Sequence, residues 1–195
     1  MCIRDSTSNV DDVVIYGGDG DDVITVTGFI TSTVYGDAGD DTIAGSQGPD
    51  TIFGGAGNDE INGAFGADTI QGGDGDDEIF GSLGNDTIAA GAGNDSVFGN
   101  KGVDTIYGGA GNDFIYGQDA TDYLYGEAGN DTIVGGPGPD TIDGGAGNDS
   151  MFGSQQDDTL TGGAGFDIFH GGSQKDTATD HEPGERHSSI EVGIN

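Results

Sequence analysis

The sequence predicts an all-β fold, a right-handed parallel β-roll (a β-solenoid) with two short strands in every 18-residue turn. Three observations predict it. A nine-residue unit, seen as Gly54-Gly55-Ala56-Gly57-Asn58-Asp59-Glu60-Ile61-Asn62, repeats in frame without insertion or deletion from Gly36 to Thr179. Position six of every copy is Asp. Position eight is large and apolar in every copy but the last, which has Ala178. Self-similarity at a short fixed period is the mark of a repeat architecture and outranks weaker signals.

Within each unit the first six residues read as turn. Glycines at positions one, two and four take positive φ at no steric cost, so the chain can reverse tightly. The last three, such as Thr69-Ile70-Gln71, alternate polar, apolar, polar, the pattern of a short half-buried strand. Two strands close one flattened turn, and each inward apolar residue stacks on the one 18 residues later. Neighbouring turns then lie about 4.8 Å apart, and eight of them make a rod on the order of 40 Å long. Such a core is thin. It cannot by itself offset the entropy of ordering a chain with 42 glycines.

Along the chain, residues 1–16 form a ragged lead-in whose first six residues bear no relation to the repeat. Asp11-Asp12-Val13-Val14-Ile15-Tyr16 resembles a worn strand of the same type. The repeat region is 17–179. Its first unit, Gly17 to Thr25, is complete, and residues 26–35 form a ten-residue variant with Ser32 at the Asp position. Residues 180–195 read as a capping segment, with Asp180 to Arg186 as a turn and Ser189-Ile190-Glu191-Val192 as a closing strand. A cap is required because an open strand edge invites aggregation.

Composition removes several function classes. The net charge is -32, with four Lys and Arg against 36 Asp and Glu. Arg4, Lys101, Lys175 and Arg186 cannot form a phosphate-binding stripe, so nucleic acid is not expected as a partner, and anionic membranes should repel the chain. No apolar run approaches the length of a membrane span. Cys2 stands alone, so no intrachain disulfide is possible. Charge of this density normally prevents compaction, yet the apolar period demands it. Both hold if folding waits for a cation that neutralises the carboxylates.

The Asp column says which cation. In the roll each position-six Asp lies beside the one a turn away, so charged carboxylates would stack within one strand spacing, with raised pKa values or unfolding as the result. A hard divalent ion relieves this. Calcium takes six to eight oxygens, carboxylate and carbonyl alike, at about 2.3–2.6 Å, whereas magnesium demands a tighter octahedron and keeps its waters. The repeats lack His and Cys on this column, which disfavours zinc and copper. Candidate ligands are Asp22, Asp41, Asp50, Asp59, Asp68, Asp77, Asp86, Asp95, Asp104, Asp113, Asp122, Asp131, Asp140, Asp149, Asp158 and Asp167.

The motif G-G-x-G-x-D-x-U-x (U a large apolar residue) over residues 17–179 resembles the RTX family, the haemolysin-type calcium-binding repeats of secreted bacterial toxins, proteases and lipases. The resemblance implies a parallel β-roll with calcium ions between successive turns. Each ion would be held by the carbonyls of positions two and four and the Asp of one loop, and by the carbonyls of positions one and three and the Asp of the loop one turn later. One such set is Gly55, Gly57 and Asp59 with Gly72, Asp74 and Asp77. Gly54, Gly73, Gly75, Gly91, Gly93, Gly108, Gly109, Gly111, Gly144, Gly145 and Gly147 fall at equivalent loop positions. The resemblance also implies a secreted or cell-surface location, export by a type I secretion apparatus, and calcium-driven folding outside the cell.

The two edges of the roll are not equivalent. Loops beginning at Gly36, Gly54, Gly72, Ala90, Gly108, Gly126, Gly144 and Gly162 stay near G-x-A-G-N-D. Loops beginning at Gly45, Gly63, Gly81, Gly99, Gly117, Gly135, Gly153 and Gly171 drift, and Ala120, Gln156 and Gln174 replace the position-four glycine. Stronger calcium sites are expected on the first edge.

Two outward ladders remain. Thr51, Thr69, Thr87, Thr105, Thr141, Thr159 and Thr177, interrupted by Tyr123, reflect either good strand formers or an ordered-water surface of the ice-binding kind. Phe80, Phe98, Tyr116, Val134 and Phe152 line the opposite face, either stacking on one another or docking a partner. Neighbouring carboxylates such as Asp76 and Asp77 should face different ways, so no acid–base pair forms, and there is no P-loop or G-x-S-x-G elbow. The chain is expected not to be an enzyme; it is either a calcium-binding module in its own right, the non-catalytic part of a toxin, protease or lipase, or an adhesin or ice-binding spacer.

Overall fold

The computed structural model describes residues 2–4 and 13–179. Twenty strands follow one another from β1 (Cys2–Arg4) to β20 (Thr177–Thr179), with no helix among the described residues. Odd-numbered strands form one ten-stranded sheet and even-numbered strands the other, each in sequence order. Every strand pairs in parallel with the strand two places on. Thus Thr87, Ile88 and Ala89 of β10 (Thr87–Ala92) lie opposite Thr105, Ile106 and Tyr107 of β12 (Thr105–Ala110). This is the parallel β-solenoid the period predicts.

Between the sheets runs one file of apolar side chains. Ile15, Ile24, Val26 and Val34 begin it, and it continues through Ile43 and Ile52 to Phe169, all buried. Each contributes roughly 1.5–3 kcal/mol by leaving water. Ala178, in the last strand, is only partly buried against this core.

The strands are longer than the sequence pattern suggests. Most have six residues, as in β8 (Thr69–Asp74), and so include positions one to three of the next unit. Gly73 pairs with Gly91 and Asp74 with Ala92, continuing the ladder through what reads as turn. The reason is the repeat itself: an identical backbone one turn away offers a partner to each N–H and C=O. The turn proper shrinks to positions four to six.

The lead-in is more regular than expected from Val13 on. β2 (Val13–Asp19) pairs with β4 (Ser32–Ala38), placing Ile15 opposite Val34 in the core. Cys2 to Arg4 pair with β3 (Val23–Thr27). The expected cap at 180–195, with His181 and His187, lies outside the described residues, as do Asp11 and Asp12.

Both outward ladders are in register, Thr51 opposite Thr69, Thr87 opposite Thr105, and Phe98 between Phe80 and Tyr116, and ring stacking covers part of the aromatic one. Phe80 and Phe98 stack at 5.1 Å on the odd-numbered sheet, Phe98 meets Phe114 at 5.9 Å in a tilted pair, and His170 stacks on Phe152 at 4.8 Å. On the other sheet Tyr16, Tyr35 and Phe53 stack at 4.9 Å spacings, and Tyr107 stacks on Tyr125 at 5.0 Å.

Candidate metal centres

Each turn of backbone between two strands brings its position-six Asp inwards, under the edge of the roll. The column from Asp41 to Asp167 is buried throughout, while Asp22 at its start is half-buried. Burying carboxylates is costly unless their oxygens are satisfied. One oxygen is. Asp77 Oδ1 accepts from the backbone N–H of Asp59 at 2.8 Å, Asp95 Oδ1 from Asp77 at 2.8 Å, and Asp113 Oδ1 from Asp95 at 2.9 Å. The same bond repeats on the other edge, from Asp68 N–H to Asp86 Oδ1 and from Asp86 N–H to Asp104 Oδ1, each at 2.8 Å. Every such carboxylate therefore reaches back across one turn.

The second oxygen is not satisfied. Oδ2 of Asp41, Asp59, Asp68, Asp77, Asp86, Asp95, Asp104, Asp113, Asp122, Asp131, Asp140, Asp149 and Asp158 is buried and receives no hydrogen bond among the described residues. Beside it stands a carbonyl oxygen of the next turn. A methyl-sized point built on Gly108 would lie 2.6 Å from Asp113 Oδ2 and 2.9 Å from the carbonyl oxygen of Gly126. On Gly63 such a point would lie 2.6 Å from Asp68 Oδ2 and 2.8 Å from Gly81 O. Position-two and position-four carbonyls point the other way, towards the following turn: Gly55 O abuts Gly73, and Gly57 O abuts Gly75. Oxygens of two successive loops thus converge with no donor between them. This is a place for a cation, and the oxygen-only donor set fits calcium.

For loops 54–59 and 72–77, a methyl-sized point on Gly54 lies beside both Asp59 Oδ2 and Gly72 O, Asp77 Oδ1 accepts from Asp59 N–H, and Gly55 O and Gly57 O face Gly73 and Gly75 of the following loop. Asp74 O is also at the interface but already accepts from Gly57 N–H at 2.8 Å, leaving one lone pair. Among the described residues no three acidic, His or Cys side chains converge on one point, so a metal here must draw on main-chain oxygens. Neighbouring carboxylates do face apart. Asp77 is buried, whereas Asp76 is exposed and accepts from Asn94 N–H.

Burial is the first cause that pushes the column's carboxyls upward, ahead of the stacked like charges the sequence suggests. It lifts Asp59, Asp104, Asp113, Asp140 and Asp149 to about 6, and Asp68, Asp77, Asp122 and Asp158 to about 7. Asp41, Asp86, Asp95 and Asp131 are raised too. The backbone hydrogen bond to each pulls the other way, and neighbouring carboxylates add a smaller upward push in several, as Asp95 and Asp59 do on Asp77.

The edges differ in ways the sequence showed only in part. Ala120, Gln156 and Gln174 hold φ of 95°, 76° and 88°, so the turn keeps its shape and the side chain bears the strain. Position two on the second edge carries five non-glycine residues at positive φ, Ala64, Ser82, Asn100, Gln118 and Ser154, against two on the first, Asp37 and Glu127. The first edge has an additional brace, a ladder at position five. Asn112, Asn130 and Asn148 each donate both backbone N–H and side-chain NH₂ to the Oδ1 of the preceding Asn, at 2.8–3.2 Å. The recurring Asn of G-A-G-N-D was the signal for it. Asp50 departs from the column, since its Oδ2 accepts from Ser46 N–H at 2.6 Å.

Comparison with known proteins agrees with this geometry. The RTX calcium-binding nonapeptide repeat model matches residues 9–28, 35–70, 63–97, 71–106, 98–133, 125–160 and 152–178. No curated protein matches the chain. Among solved structures the chain is similar in fold to a hyperactive, Ca2+-dependent, β-helical antifreeze protein from an Antarctic bacterium, at a TM-score of 0.60 and 21% identity. That alignment covers 92% of this chain and 64% of the other, so the chain spans less than two thirds of its neighbour's length. With its repeats in frame and its Asp column buried between parallel rungs, the chain belongs to the RTX calcium-binding nonapeptide repeat family.

Proposed function

We propose that this chain is a calcium-driven folding module of a secreted bacterial protein, holding ions between successive loops through the position-six carboxylates and the carbonyls of positions one to four. One observation carries the reading: buried Asp Oδ2 atoms face carbonyl oxygens and receive no donor. Without a cation the chain is repelled and unfolded, a form suited to export through a type I secretion channel. Calcium outside the cell, at sites of about 10⁻⁴–10⁻³ M affinity, then drives folding by mass action.

A calcium titration followed by far-ultraviolet circular dichroism, with magnesium as control, tests this. Strand signal should appear with calcium and not with magnesium; full signal in chelator would end the proposal. Calorimetry should further show that Asp95→Ala weakens calcium binding several-fold more than Asp104→Ala. The first lies on the edge braced by the Asn ladder, the second on the edge with side chains at positive φ. Equal losses would remove the asymmetry.

The reading covers a stand-alone chain and the non-catalytic part of a toxin, protease or lipase alike, and the full-length gene distinguishes them. An ice-binding or adhesive role draws less support. Beside the ladder that begins at Thr51, Phe53, Tyr107, Tyr125 and Asp143 break the neighbouring column two residues on, so within these two columns paired T-x-T occurs only at Thr159/Thr161 and Thr177/Thr179. The strip of Phe80, Phe98, Tyr116 and Phe152 supports docking only weakly, because Phe80 and Phe98 already spend their faces on each other.

A further inference from the structure

We infer that the loop at residues 45–50 holds no calcium, and that Ser46 takes the place of the ion between it and the loop one turn earlier. The inference rests on the calcium reading of the remaining Asp column. In register with the other second-edge loops, a cation here would sit among Gly28 O, Ile30 O and residue 32 below, and the carboxylate of Asp50 above. Each of those groups is already occupied. Gly28 O accepts from Gln47 N–H at 2.8 Å, a ladder bond that recurs from Leu83 N–H to Ala64 O, so what is particular here lies at Ile30 O and Asp50. Ser46 Oγ donates to Ile30 O at 2.6 Å and lies 3.3 Å from Asp50 Oδ1 and 3.4 Å from Gly48 O. Ser46 N–H donates to Asp50 Oδ2 at 2.6 Å, the atom left without a donor elsewhere in the column.

The residue below completes the exchange. Ser32 stands where an Asp would supply the second charge, and it donates both N–H and Oγ–H to Asp50 Oδ1, at 2.8 and 2.7 Å. A carboxylate pair bridged by a divalent ion has become one carboxylate surrounded by protein donors. Ser46 is itself buried and does not share the positive φ of its counterparts Ala64 and Ser82. By Asp68 the ordinary arrangement has returned, with Oδ2 buried and no donor to it. The staple joins residues 28–50 without metal, so these turns can close before calcium arrives.

Equilibrium dialysis of the whole chain against calcium tests the inference. Both oxygens of Asp50 are held by protein donors, Oδ1 towards the turn below and Oδ2 beside Gly63 O of the turn above. Asp50→Asn should therefore leave the number of bound ions unchanged, while Asp86→Asn on the same edge should lower it by at least one. If both variants lose ions alike, the inference fails. If neither does, the calcium reading of the column fails instead. Should Asp50→Asn not fold, the double variant Ser32→Asp, Ser46→Gly decides: it restores the repeat pattern and should bind one more ion than the unmodified chain. A count that does not rise overturns the proposal. Calcium anomalous diffraction from the unmodified chain gives an independent reading, and an ion on Asp50 would refute it directly.

Discussion

Stripped of calcium at pH 7.5, the chain should show little strand signal, and acidifying the same sample to about pH 4 should bring much of it back. The buried carboxyls set the sign. Asp68, Asp77, Asp122 and Asp158 titrate at about 7 in the roll, and Asp59, Asp104, Asp113, Asp140 and Asp149 at about 6, against 3.8 for an ordinary Asp. Folding without metal therefore takes up protons. The stabilisation this supplies is fully present below about 3.8, declines as pH rises, and is lost once pH passes through 6 to 7. Protons and calcium act as alternative neutralisers of one column. Circular dichroism in chelator from pH 8 to 4, with sedimentation to exclude aggregates, checks it. A signal that stays flat, or falls on acidification, would contradict the burial of these groups.

Gly111→Ala should be among the most damaging single changes in the chain, costing about 4 kcal/mol or more in the calcium-loaded form. Gly111 holds φ 137°, which residues with a side chain rarely adopt. Its new Cβ would also be driven into the carbonyl oxygen of Gly93, one turn earlier. That carbonyl is a position-four oxygen of the first edge, so the substitution strikes the turn and the ion's cradle together. Ala120→Gly makes the reverse test. Ala120 sits at φ 95°, and relieving it should stabilise the roll by about 1 kcal/mol. Denaturant midpoints in saturating calcium measure both, and a neutral Gly111→Ala would show that the loops are free to repack.

Much of this was legible in the residues. The nine-residue period with Ile at position eight and Asp at position six predicts parallel rungs, a thin core of one apolar residue per unit and an acidic column stacked one turn apart, and all three are present. Strand length was not legible. Positions one to three read as turn because Gly-Gly favours turns in isolation, but a backbone partner one turn away turns them into strand. The cause of the raised carboxyls was misjudged for a related reason. Spacing alone reveals the neighbouring charge, whereas burial depends on how the loop folds the Asp under itself. Ser46 was invisible as well. It stands at a tolerant position of a drifting loop, and only its bonds to Ile30 and Asp50 distinguish it from Ala64 or Ser82.

Sameness from rung to rung also creates an alignment problem. If one stretch slipped by a whole turn against its neighbour, Ile would still meet Ile and Asp would still meet Asp at nearly every level. Repeating contacts thus fix the pitch of the roll while saying little about its origin. The origin must be marked by what occurs once. Ser32, Ser46 and Asp50 form a lock whose parts have no duplicate 18 residues away, since Ala64 stands in the Asp68 loop where Ser46 stands in the Asp50 loop and Asp68 Oδ2 receives no donor. Near the start of the coil they act as a zero mark, from which each later rung can be counted.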